Sequence, residues 1–336
     1  MTIARFFGRL RLLAAVLVLL AVAVITPVLA QERNPDGAPD PNASVVNQHT
    51  LLQQLPRIEG QIDIPDTRAG VLIQPAGRLW VRFHEIALRW LGAIAALGMI
   101  AVLALAYLFL GRIRISAGRS GTKVRRFSAF ERFSHWLTAV SFVLLAFSGL
   151  NITFGKILLL PVFGENGFSE FSQASKYVHN FVSFAFVVGL VLIVAIWFKD
   201  NIPRRVDIEW LKQGGGFIKS RHAPAGRFNA GEKAVFWLAL VAGIAIAASG
   251  YLLLFPFYAT NILGMQLAQV AHAVIAMLFI ALILAHIYIG TLGMEGAFEA
   301  MGTGEVDLNW AKEHHDLWLQ EQLTRERQPA APVGAE

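Results

Sequence analysis

Six long apolar runs, separated by polar and basic segments, set the plan of the chain. The first, Leu12 to Ile25, follows Arg5, Arg9 and Arg11 and leads through Pro27 to Val28-Leu29-Ala30 before Gln31. A basic start, a short apolar stretch and a small-residue step form the pattern of a secretory signal peptide over residues 1–30, with an uncleaved anchor as the alternative. The other five run from about Phe83 to Leu110, His135 to Phe154, Tyr177 to Phe198, Ala234 to Phe257 and Leu267 to Met294. Each has the roughly 20 residues needed to cross a bilayer as a helix. A helix satisfies its own backbone in lipid, and no alternating pattern points to a barrel.

The polar segments orient these spans. Between the second and third runs lie Arg112, Arg114, Arg119, Lys123, Arg125, Arg126 and Arg132. Between the fourth and fifth lie Lys199, Arg204, Arg205, Lys212, Lys219, Arg221, Arg227 and Lys233. The opposite connections carry Lys156 and Lys176 in one case and no basic residue between Ala259 and Gln266 in the other. Basic loops stay on the cytoplasmic side, so both basic segments and the tail 295–336 are expected there. Residues 31–79, rich in Pro, Asn, Asp and Gln, fall outside and are expected to hold little regular structure.

Composition agrees with a membrane protein. The chain has 336 residues, 55% hydrophobic and only 15% charged. Its net charge of +6 belongs to the loops beside the spans, which argues against nucleic-acid binding. Without cysteine it has no disulfide, zinc–thiolate, iron–sulfur or thioether-haem chemistry of its own.

The chemistry lies in histidines inside the spans. His272 and His286 share the last one, 286 − 272 = 14 residues apart. At about 100° and 1.5 Å per residue they project within about 40° of each other, about 21 Å apart along the axis. The loop charges place His135 with His286 towards the cytoplasm and His179 with His272 towards the outside. Each neutral imidazole offers one nitrogen to a metal. Two on facing helices can fill both axial positions of a haem iron, leaving no site for substrate, so the pair can only pass electrons. Ser148, Gly149, Gly189, Gly243 and Gly250 could admit a flat ring, or serve ordinary helix packing. Two histidines at one depth fall short of a zinc site. His49, His222, His314 and His315 lie in polar segments and read as solvated; His84 starts the Phe83–Leu110 helix, which offers no second histidine. A neutral histidine bonded to a neighbouring helix, a non-redox membrane anchor and a transporter are the competing readings. The transporter would call for paired Gly/Pro breaks at mid-membrane, which are missing.

Four stretches carry a family resemblance. They are Val124 to Phe127 with Phe130 to Trp136; Asn201-Ile202-Pro203 with Asp207 to Leu211; Arg227 to Lys233 with Phe236-Trp237; and Gly304-Glu305-Val306 with Trp310 to His315 and Trp318. With the histidine pairs, the chain resembles the cytochrome b (gamma) subunit of respiratory formate dehydrogenase. The resemblance implies an all-α integral membrane fold built on a four-helix di-haem cytochrome b bundle over 125–294, to which this chain's apolar runs add one extra N-terminal transmembrane helix over 80–114. It implies two haem b groups held by His135, His286, His179 and His272, with His179 and His272 at the electron-receiving haem. It implies a quinone site at Asn229, Gly231 and His286, Asn229 being equally suited to cap a helix. The implied partners are a periplasmic iron–sulfur (beta) subunit and a molybdenum or tungsten catalytic (alpha) subunit, in a bacterial inner membrane, with quinone as acceptor. A b-type subunit of a quinone-linked hydrogenase is the alternative within the same class. The signal-like segment and the extra helix depart from the simplest family pattern.

Overall fold

The computed structural model describes residues 58–61, 71–74, 82–216, 223–256 and 258–327, with backbone alone at 58–61, 71–74, 84 and 216. The signal-like segment, His49 and His222 lie outside them. Among the described residues five helices are long and apolar enough to cross a membrane. They are α1 (Leu88–Leu110), entered through a wide turn at Phe83–Ala87, α2 (Ala129–Leu158), α3 (Leu160–Trp197), α5 (Ala230–Leu254) and α6 (Ile262–Tyr288). Between α3 and α5 lies the short amphipathic α4 (Arg205–Lys212).

Four spans, α2, α3, α5 and α6, start earlier than their apolar runs, and at α2 and α5 a polar cap precedes the lipid-facing stretch. At α2 the Ser128 N–H donates to the Glu131 carboxylate (2.8 Å) and the Glu131 N–H donates back to Ser128 Oγ (3.3 Å). At α5 the Asn229 N–H donates to Glu232 (2.9 Å) and the Glu232 N–H to Asn229 Oδ1 (3.0 Å). Both are capping boxes, which satisfy orphan donors of the first turn. Helix α3 is broken at Gly164 (φ 66°, ψ 177°), a conformation that favours glycine, and then runs through His179 to Trp197. His135 and His179 therefore sit inside their helices rather than at their starts. The stretch 31–79 also departs from expectation: β1 (Ile58–Gln61) and β2 (Val71–Gln74) pair antiparallel, Ile58 opposite Gln74. Backbone pairing there needs no apolar periodicity, so the composition gave no sign of it.

The chain divides into two compact units that each take part of every long core helix. One contains 1–108, 141–184 and 242–281, and holds His179 and His272. In it Gly92 of α1 meets Met277 of α6; a Cβ there would stand 2.9 Å from the sulfur. The other contains 109–140, 185–241 and 282–336, and holds His135 and His286.

The second unit includes an ordered C-terminal cap. Strand β3 (Lys123–Arg125) pairs antiparallel with β4 (Glu305–Asp307), and α7 (Ala297–Gly302), α8 (Leu308–His314) and α9 (Asp316–Arg327) surround them. Val306, Trp310, Ala311 and Trp318 bury themselves with Phe127, Trp197, Phe228 and Phe236. Gly304 (φ 90°) lets the turn pass so close that a Cβ would stand 2.7 Å from the Phe127 carbonyl oxygen. Asp307 caps α8 by accepting from the Asn309 N–H (2.8 Å), and also accepts from the N–H groups of Ser120 (3.2 Å) and Gly121 (3.0 Å). Burial alone would push its carboxyl up; the backbone donors from Ser120, Asn309 and Gly121 outweigh that and hold it below the usual carboxylate range. His315, expected to be solvated, is instead 1% exposed, its Nδ1 2.9 Å from the Gly226 carbonyl. Burial, with the Arg126 cation nearby, keeps it neutral, its pKa well below the ordinary histidine value.

The core helices contain a repeat. Arg126-Phe127-Ser128-Ala129-x-Glu131-Arg132 recurs as Arg227-Phe228-Asn229-Ala230-x-Glu232-Lys233, 227 − 126 = 101 residues on. Trp136, Ser148 and Gly149 recur at the same spacing as Trp237, Ser249 and Gly250. The two copies exchange partners. Arg126 Nη2 donates to Glu232 (3.0 Å) and to the Arg227 carbonyl (2.9 Å). Arg227 Nη2 donates to Glu131 (2.6 Å) and to the Arg126 carbonyl (3.5 Å). Phe127 and Phe228 meet between them, ring centres 5.9 Å apart.

Candidate haem-ligand site

The four span histidines come together as two pairs. His179 on α3 faces His272 on α6 with ring centres 6.1 Å apart and planes at 71°. His135 on α2 faces His286 on α6 with ring centres also 6.1 Å apart and planes at 55°. Two imidazoles bonded through nitrogen at about 2 Å to opposite sides of one metal ion, each ring centre roughly 1 Å further back, stand roughly 6 Å apart. Both separations fit that geometry. Among the described residues no group of three or more His, Cys, Asp or Glu gathers to hold a metal, so each pair offers a two-ligand site of the kind a porphyrin iron takes.

In the first pair the protein fixes the proton on the His272 ring and offers a serine oxygen to both rings. His272 Nδ1 lies 3.1 Å from the Ile246 carbonyl and 3.1 Å from Ser249 Oγ. A carbonyl only accepts, so Nδ1 carries the hydrogen and Nε2 keeps its lone pair. His179 Nδ1 lies 2.9 Å from Ser148 Oγ. That hydroxyl reaches the Leu144 (2.8 Å) and Leu145 (3.1 Å) carbonyls, and when it donates to either its oxygen can accept from the ring. The glycine after each serine makes room: a Cβ on Gly149 would stand 3.4 Å from His179 Cε1, and one on Gly250 3.1 Å from His272 Cε1. Gly189, grouped with these on sequence grounds, instead packs α3 onto α2, where a Cβ would stand 3.0 Å from the Thr138 nitrogen.

In the second pair His135 lies edge-on to Trp136 at 5.5 Å, and the Trp136 indole N–H donates to the Met301 carbonyl (2.9 Å), tying this turn of α2 to the C-terminal cap. His135 Nδ1 is buried without a hydrogen-bond partner among the described residues.

Asn229 and Gly231 occupy the start of α5. The Asn229 side-chain oxygen is used by the cap, and Gly231 receives the edge of Trp210, 3.1 Å from where a Cβ would stand. The indole of Trp210 also lies against Gly215 (φ 61°). Beside them Lys233 Nζ donates to Asp207 of α4 (2.8 Å), with side chains 7% and 12% exposed. Ser249, Leu144 and Ile246 were not singled out on sequence grounds, though the 101-residue repeat is the signal that points to Ser249.

Residues 126–304 match the family model for prokaryotic cytochrome b561. The chain belongs to that family. It is 31% identical over 200 residues to the formate dehydrogenase cytochrome b556(fdo) subunit of Escherichia coli, covering 58% of this chain and 92% of that one. It is 29% identical over 198 residues to the nitrate-inducible formate dehydrogenase cytochrome b556(Fdn) subunit of the same organism, covering 57% of this chain and 88% of the relative. A Haemophilus influenzae formate dehydrogenase cytochrome b556 subunit is 26% identical over 220 residues, or 64% and 88% of the two chains. This cytochrome b561-family chain is thus a multi-pass, all-α membrane protein of the formate dehydrogenase cytochrome b type.

Proposed function

We propose that the chain carries electrons from a periplasmic iron–sulfur subunit through two b haems to quinone near the cytoplasmic face, as the membrane subunit of a formate dehydrogenase. The observation that carries this reading is the pair of histidine pairs, each with ring centres 6.1 Å apart. His179 and His272 hold the electron-receiving haem; His135 and His286 hold the other. Haem held by these histidines would supply a one-electron iron couple. The chain's own residues do the rest. A backbone carbonyl fixes the tautomer of His272, and serine oxygens meet both His179 and His272. Phe142 and Phe279, ring centres 4.7 Å apart, contribute to the apolar filling of the first unit and exclude water. Asn229, Gly231 and His286 form the quinone site, with Asn229 offering its amide N–H groups while its oxygen serves the cap.

Formate oxidation lies on a molybdenum or tungsten alpha subunit, since a chain without cysteine cannot bind the connecting clusters itself. The basic segments after α1 and α3 support a reading in which those loops and the C-terminus lie in the cytoplasm of a bacterium, with the spans in its inner membrane. Quinone reduced on that side takes protons from the cytoplasm while formate releases them outside.

The test is a haem count and a reduced-minus-oxidised spectrum on the purified complex, with formate as reductant. Two non-covalent b haems per chain, reduced by formate and reoxidised by quinone, are expected. His179→Ala should leave one haem and block electron entry; two haems retained would refute the assignment. Two haems indifferent to formate would move the donor to another dehydrogenase or a hydrogenase. Absence of haem would return the chain to a non-redox anchor.

A further inference from the structure

We propose that Ser148 and Ser249 are positioning residues for the iron ligands His179 and His272, and that they hold that haem at a lower potential than the haem of His135 and His286. The inference rests on the histidine assignment made above and adds to it a difference between the two centres.

The two serines hold the same place in the repeat, 249 − 148 = 101 residues apart. Each hydroxyl donates to the carbonyl four residues back, Ser148 to Leu144 and Ser249 to Ala245, both at 2.8 Å. A second carbonyl, Leu145 for Ser148 and Ile246 for Ser249, lies 3.1 Å from the same hydroxyl; with its one hydrogen on a carbonyl of that turn, each oxygen is an acceptor towards an imidazole N–H. Ser148 Oγ does so at 2.9 Å from His179 Nδ1, and Ser249 Oγ at 3.1 Å from His272 Nδ1. The following glycines let the rings lie against the helix backbone where these bonds form. Two serine–glycine steps, one on α2 and one on α5, thus treat both ligands of one haem alike.

The other pair is built differently. His135 Nδ1 is buried and has no hydrogen-bond partner among the described residues. The hydroxyl one turn on, Thr138, donates to the Ser134 carbonyl (2.8 Å). The repeat position of His135 is Phe236, 236 − 135 = 101 residues on, which lies in the hydrocarbon core beside Trp197 and Phe228. The second centre therefore lacks the symmetry that gives the first its two braces.

An N–H that donates to an oxygen shifts electron density into the ring and makes the other nitrogen a stronger ligand. A stronger ligand favours the oxidised, more positively charged iron over the reduced one and lowers the potential. With both ligands braced at the His179–His272 site and at least one unbraced at the other, a haem held at the first would have the lower potential of the two.

The experiment is a redox titration of the purified complex, followed by optical and electron paramagnetic resonance spectra that separate the two haems. Ser148→Ala and Ser249→Ala should each raise the lower midpoint and leave the higher one in place. The shift expected is up to about tenfold in the ratio of oxidised to reduced iron, about 59 mV for a one-electron couple. Ser148→Thr and Ser249→Thr keep the hydroxyl and should keep the parent midpoint. Unchanged midpoints in the double alanine variant, or movement of the higher midpoint alone, would overturn the proposal. If the double variant does not hold haem, the single variants decide by the same criterion. His179→Ala separates the two levels of inference: if it keeps both haems, the ligand assignment has failed. If it loses the lower-potential haem while the serine variants leave both midpoints in place, only the bracing has failed.

Discussion

Arg126 is the residue whose loss should be felt most widely in the second unit. Its side chain is 1% exposed, with the guanidinium carbon 5.1 Å from the ring centre of Phe127, 5.2 Å from Trp310 and 5.5 Å from Trp318. It donates to the Arg227 carbonyl at 2.9 Å and to Glu232 at 3.0 Å. Arg126→Ala removes two charge-assisted hydrogen bonds at about 1.5–3 kcal/mol each. It also removes stacking over three rings, worth about 0.5–2 kcal/mol per contact. Stranding one partner of a buried pair costs about 3–5 kcal/mol. Glu232 keeps its capping bond to Asn229 and is 36% exposed, which places the loss near the lower end, about 3–4 kcal/mol. For a unit of this size that is a fall in melting temperature on the order of 10 °C. Arg126→Lys should recover only part, because a point charge can meet Glu232 but not lie flat among three rings. The assay is heating of the purified complex with haem absorbance and tryptic release of the C-terminal helices followed together. If Arg126→Ala melts with the parent and its tail stays protected, the view of Arg126 as the clamp between the helix starts and the C-terminal cap is wrong.

Other outcomes follow from the same geometry. His135→Ala should leave one haem per chain, still reducible by formate but unable to pass electrons to quinone; a pyridine haemochrome assay with single-turnover kinetics checks both. Gly250→Ala places a methyl 3.1 Å from His272 Cε1, so the ring must give by a few tenths of an ångström; the paramagnetic signal of that haem alone should change, with its occupancy kept. Asp307→Ala should cost about 0.5–2 kcal/mol for the lost cap and free the Ser120–Gly121 turn, read as faster cleavage there by protease. The Asp307 carboxyl is depressed in the fold, so its contribution is present above the unfolded carboxylate value and fades as the pH drops through the folded one. His315 is kept neutral in the fold; its contribution is therefore complete above the unfolded value of about 6.5 and is lost as the pH falls below it. Protease sensitivity of α9 should rise on mild acidification in the parent and stay level in His315→Gln.

The five spans were legible because lipid imposes one requirement over some 20 residues at a time, and the four histidines stood out as polar groups in those runs. The pairing by depth needed only helix geometry and loop charge. What escaped was local. The starts of α2 and α5 lay in Ser128–Glu131 and Asn229–Glu232, outside the apolar windows. His315 looked solvated because its sequence neighbours are polar; only the return of the tail onto Phe127 and Phe228 buries it. Strands β1 and β2 carry no alternation to announce them. Ser249 was hidden for another reason: a serine in an apolar helix has many ordinary uses, and only its match to Ser148 marks it out.

The exchange of arginine and glutamate between the two copies of the repeat has a consequence for synthesis. Arg126 emerges from the ribosome 106 residues before its partner Glu232, and Glu131 emerges 96 residues before Arg227. Until the second hairpin is inserted, the first stands at the membrane surface with a cation and an anion that are not yet matched. A chain halted midway is thus marked as incomplete by its own exposed charges, and arrival of the second half both neutralises them and closes the clamp.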